Sequence, residues 1–153
     1  MRIPLLLIAA PVVAGTFLLA GCGGDGAGSD EDFVKDLCDA STQLESDLDT
    51  AIADASSQTD PEKAIEALVP PLEDFVEAFK DANPPEDLED WHETASNQLE
   101  TEVEEFKEAK SLEELEGFGD SPVPDPPAEA KSRLRTAAED VEECEGVTFM
   151  KPD

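Results

Sequence analysis

Few side chains in this 153-residue chain are of types that do chemistry. There is one histidine, His92, and there are three cysteines, Cys22, Cys38 and Cys144. Carboxylates are abundant: 39 Asp and Glu stand against 10 Lys and Arg, a formal charge of −29. His92 closes the stretch Glu89-Asp90-Trp91-His92, a Glu-x-x-His that on a helix puts both side chains on one face. Di-iron bundles need that motif twice, and zinc proteases need a second histidine. Neither partner is present, so His92 reads as a surface residue beside a core-facing Trp91. The pairs Glu104-Glu105, Glu113-Glu114 and Glu142-Glu143 are what so acidic a composition produces by chance. Glycoside hydrolysis needs two carboxylates facing across a cleft, which a thin helical domain does not obviously offer. No serine stands in a nucleophile elbow, no Gly-rich loop follows a strand, and no calcium-loop pattern occurs. The expectation is a non-enzymatic domain with no catalytic residue, no cofactor and no dedicated metal site. The alternatives are diffuse cation binding or buffering by the acidic faces and, further off, a hydrolase using acidic residues.

The first cysteine carries a sharper signal. Arg2 and the terminal amine give a positive start, and Ile3 to Ala20 bears no charge. A charged start, an apolar stretch and small residues before a cut form a secretory signal. The stretch is short for a membrane span, which takes about 20 apolar residues. Pro4 and Pro11 weaken it further as a regular helix. Leu19-Ala20-Gly21-Cys22 resembles the lipobox of bacterial lipoproteins in all four positions. The resemblance implies lipidation of the Cys22 sulfur, with acyl chains such as palmitate, and cleavage just before Cys22. It implies a lipid-anchored protein on the extracytoplasmic face of a cell membrane. The Gly-rich stretch Gly23 to Ser29 then reads as a flexible leash. The whole pattern also resembles small acidic envelope lipoproteins of the actinobacterial kind.

With Cys22 assigned to lipid, Cys38 and Cys144 remain as an even pair in an oxidising compartment. A disulfide between them closes a loop of roughly 100 residues and stabilises by about 4–5 kcal/mol in the chain-entropy picture. The redox-active alternative lacks a Cys-x-x-Cys. A staple is needed, because Leu, Ile, Val and Phe make up only about a fifth of the mature chain, near the composition of disordered proteins. Removing residues 1–21 takes away one basic residue and no acid, so −29 becomes −30. Such a charge repels nucleic acid. The expected partners are the membrane, through Cys22, and an envelope protein or ligand.

The elements that position these residues read as helices throughout. Phe33, Leu37, Ser41, Leu44, Leu48, Ala51 and Ala55 lie on one stripe of a first helix over 30–57, capped by Ser29 with Asp32. A second begins at Asp60-Pro61, carries Ile65 to Phe79 on its apolar face, and is expected to kink or break at Pro70-Pro71. A third spans 85–110, with Leu88, Trp91, Ala95, Leu99, Val103 and Phe106 inward, and Ser111 to Glu114 suggests a further short turn. Residues 117–127 are loop, and a fourth helix runs from 127 to about 143. The fold class is all-α, an antiparallel three- to four-helix bundle closed by one disulfide. The expected organisation is signal peptide 1–21, acylated tether 22–29, bundle 30–146 and loose tail 147–153. Pro70-Pro71 facing Asn83-Pro84-Pro85, and Phe118 with Val123 on the long loop, are the places where contacts could form. The plainer reading makes the prolines connectors and Phe118 a cap on the bundle end.

Overall fold

The computed structural model describes residues 27–111, 113–115, 124–145 and 147. Cys22, the expected signal segment, Phe118 and Val123 lie outside the described residues. Among those described there are four α-helices and no strand: α1 (Asp30–Ser56), α2 (Pro61–Asp81), α3 (Glu89–Glu108) and α4 (Ala128–Glu139). Short 3-10 turns over Glu86–Leu88 and Glu142–Cys144 precede α3 and follow α4. No helix among the described residues is long and apolar enough to cross a membrane.

Capping chemistry starts the first two helices. The Ser29 hydroxyl accepts from the Asp32 backbone N–H at 3.1 Å and donates to the Asp32 carboxylate at 2.7 Å. That occupies a donor that would otherwise lack an intrahelical partner. Asp60 accepts from the Glu62 N–H at 3.1 Å, with Pro61 in the first turn. The expected break at Pro70-Pro71 does not occur, for α2 runs on to Asp81. Its apolar face spans the prolines: Ile65 lies buried before them, and Val76 and Phe79 after. Burial on both sides holds the helix together across the missing donors. The fourth helix is shorter than expected. It ends at Glu139, Val141 turns extended, and Cys144 arrives on the 3-10 turn. After α3, the Glu114 side chain accepts from the Lys110 N–H at 2.8 Å, and the Glu114 N–H reaches the Ser111 carbonyl at 3.2 Å. The expected turn is there, with the acid capping one residue earlier than a capping box would.

Helix α1 packs against both α2 and α4, and α2 also against α3. Two apolar clusters result. The larger gathers Phe33, Val34, Leu37, Cys38, Phe79, Leu88, Ala95, Ala130 and Leu134, with Trp91 packed against it. The smaller holds Ile65, Phe106 and Ala109, with Leu68, Val69, Leu72 and Leu115 around it. Val147, expected in a loose tail, is buried in the larger cluster. An apolar β-branched side chain one residue beyond the helical domain has a core within reach.

Three ties reinforce the end where α1 starts. Cys38 and Cys144 form a disulfide, with Cα atoms 5.1 Å apart and 106 residues between them in sequence. Arg133 on α4 bridges Asp30 on α1 and both carboxylate oxygens of Asp87, at 2.9 and 3.0 Å. Those two carboxylates raise its already high pKa. Gly28 donates its N–H to the Pro84 carbonyl at 3.0 Å. A Cβ at Gly28 would stand 1.8 Å from the Asn83 carbonyl oxygen, so only glycine fits this close approach. The last residues of the expected leash are therefore pinned to the α2–α3 connection.

Candidate binding site

The expected chemistry-bearing residues do not converge on a reaction centre. His92 is buried at 8% exposure, and the surface position expected for it is wrong. Its Nε2 lies 2.7 Å from the Phe79 carbonyl oxygen. With a carbonyl as partner, Nε2 must carry the proton and donate. The ring stacks on Phe79, with centroids 5.0 Å apart, and meets Phe33 edge-on at 5.5 Å. The single-stripe reading of α3 was too narrow: His92 and Ser96 flank Ala95 and are buried with it. Glu89, its Glu-x-x-His partner, is exposed. Glu104 is held by Lys107 at 2.8 Å, and Glu105, Glu113, Glu114, Glu142 and Glu143 are exposed. Among the described residues no group of three or more His, Cys, Asp or Glu side chains is placed to hold a metal.

What the helices do line is a partly open, largely apolar cavity of about 290 Å³. Leu37 comes from α1, Phe75 and Phe79 from α2, Trp91 and Leu99 from α3, and Leu134 from α4. Pro124, Asp125 and Pro126 form one wall. Two contacts hold that segment in place. The Trp91 indole N–H donates to the Pro124 carbonyl, and the Lys131 ammonium meets the Asp125 carboxylate at 2.7 Å. A half-buried tryptophan with its one donor satisfied is the usual compromise for that side chain. Lys131 and Arg135, four apart and so on one side of α4, both line the cavity. Ser41 adds a hydroxyl, whose proton goes to the Leu37 carbonyl at 2.8 Å.

A larger trough of about 870 Å³ runs between α2 and α3. Glu73, Glu77, Asp81, Glu100 and Glu104 line it, all exposed. Lys80 pairs within it with Glu100 at 2.5 Å, and Lys107, beyond its lining, pairs with Glu73 at 2.9 Å. The two carboxylates at Lys107 raise its pKa. This is a solvated helix seam with its cations already in place. The prolines singled out in the sequence line neither space: Pro70 is exposed, while Pro71 and Pro85 are buried.

Sequence reasoning missed the cavity. Its signal was there as Phe75, Phe79, Trp91 and Leu134 at inward positions and as basic residues concentrated at 131, 133 and 135 of an acidic chain. Nothing in the sequence tells which inward side chains meet and which leave space. The chain matches no protein-family model, no curated protein and no solved structure.

Proposed function

We propose that this protein is a lipid-anchored lipoprotein on the extracytoplasmic face of a cell membrane, held through Cys22. Its helical domain is a non-enzymatic module that binds a partner or ligand there. The observation that carries the reading is Leu19-Ala20-Gly21-Cys22 directly after an uncharged apolar stretch. The Cys38–Cys144 disulfide supports it, since such bonds persist in oxidising compartments outside the cytoplasm. The helices are read as an antiparallel bundle. In support, Lys80 pairs with Glu100 while Glu73 pairs with Lys107, so α2 and α3 run in opposite directions. The binding role rests on the partly open, largely apolar cavity, the kind of concave space that small-molecule sites use.

Fractionation of cells fed a labelled fatty acid tests the anchor. The wild-type chain should take up label and stay with the membranes through a high-salt wash. Cys22→Ser should abolish the label. Label retained by the Cys22→Ser chain would refute the assignment.

A further inference from the structure

We infer that the partly open cavity lined by all four α-helices binds an uncharged aryl compound of about a dozen heavy atoms. The inference rests on the reading of the domain as a binding module and is independent of the anchor. Size sets the bulk of the ligand. At about 290 Å³ the space is roughly twice the ~150 Å³ cavity that accepts benzene. The lining sets its type. Phe75, Phe79 and Trp91 come to it from α2 and α3, and Leu37, Leu99 and Leu134 complete the apolar wall. Phe79 and Trp91 already meet edge to face, with ring centroids 6.3 Å apart. A further ring extends that cluster in the arrangement aromatic groups prefer.

The polar side chains of the lining set the charge, because each already has a partner within the protein. The Trp91 indole N–H donates to the Pro124 carbonyl, and the Ser41 hydroxyl donates to the Leu37 carbonyl at 2.8 Å. The Lys131 ammonium and the Asp125 carboxylate neutralise each other at 2.7 Å. Arg135 is engaged as well. Pro124 and Pro126 bring no N–H to the wall they form. Among the described residues a charged head group therefore meets no unpaired counter-charge here. It would lose part of its hydration without gaining a partner. An uncharged ring loses nothing of that kind, and it displaces water from a wall that offers water few hydrogen bonds.

Trp91 is the single tryptophan of the chain, so its fluorescence reports on this cavity. The full chain, reconstituted in phosphatidylcholine vesicles, is titrated with phenylbutanol, phenylbutyrate and phenylbutylamine. Protein-free vesicles correct for partition into lipid. The three compounds share one body and differ in charge. Phenylbutanol should give a saturable change and bind about tenfold or more tightly than either ion, the scale of a charge that loses part of its water unpaired. Ser41→Phe places a ring in the cavity and should abolish phenylbutanol binding. Ile52→Ala, at an exposed position outside the lining, should leave it unchanged. Equal binding of all three, tighter binding of either ion, or unaltered phenylbutanol binding by a folded Ser41→Phe chain would each overturn the inference. Should Ser41→Phe not fold, the ranking in the wild-type chain decides alone. Saturable binding that favours an ion would keep the domain a binding module and discard the uncharged ligand. No saturable change with any of the three would discard the ligand and the cavity's binding role together.

Discussion

The two ends of the helical domain are built differently. At the end where α1 starts, Phe33, Val34, Cys38 and Leu88 have no solvent exposure, and a disulfide, an arginine bridge and the Gly28 contact surround them. At the far end, Ile65, Phe106 and Ala109 form a small cluster without a covalent tie, and Ile52 stands half-exposed on α1. The difference lies in what each end must resist. An acidic domain repels itself, and a small core supplies little to oppose that. Reinforcement is concentrated beside the Gly-rich stretch that follows Cys22, where the proposed anchor would transmit any pull. The cavity belongs to the reinforced half, since Leu37, Phe79, Trp91 and Leu134 belong to or pack on the larger cluster. A cavity of this size stays open only if the helices around it are held apart by something firm.

The contrast can be broken most severely at Phe33. Truncation to alanine removes a fully buried ring that meets Trp91 and His92 edge-on, and should cost about 3–5 kcal/mol in urea denaturation. Replacing both Cys38 and Cys144 by alanine should cost about 2–5 kcal/mol and abolish the unequal protection of the two ends in hydrogen exchange. At the far end, Ile65→Ala should cost about 2–3 kcal/mol, with exchange rising near Ser57 before it rises near Phe33. Equal responses at both ends would erase the distinction. The smallest effect is expected at Lys35, which pairs with Glu143 at 3.1 Å and Asp39 at 2.6 Å on an exposed surface. A backbone hydrogen bond, and after it Lys35, hold the Glu143 carboxyl below its usual range. A lowered folded-state pKa stabilises above the unfolded value, and that contribution disappears as pH falls through the folded value. Glu143→Gln should therefore lower Tm slightly at neutral pH and leave it unchanged in strong acid. A larger deficit in acid than at neutral pH would contradict the assignment.

The helices were legible because their signals are local. Ser29 with Asp32, Asp60 with Pro61, and the stripe from Phe33 through Leu37 all act within a few residues. The disulfide partners followed from parity once Cys22 was set aside. What escaped the sequence depends on tertiary neighbours. His92 is buried because the Phe79 carbonyl, at the last turns of another helix, accepts its proton. Pro70 and Pro71 stay within one helix because its apolar face is buried on both sides of them. Val147 packs because Cys144 is drawn to Cys38, leaving the chain beside the core. The cavity escaped for the same reason, since an unfilled volume has no residue of its own.

One mass measurement bears on the anchor and the staple together. The protein is extracted from its own membranes, and its intact mass is recorded before and after reduction. We expect a chain that begins at Cys22, carries acyl mass, and gains two hydrogens on reduction as the Cys38–Cys144 bond opens. A chain without acyl mass, or one that begins elsewhere, would contradict the lipoprotein assignment and leave Cys22 an ordinary thiol.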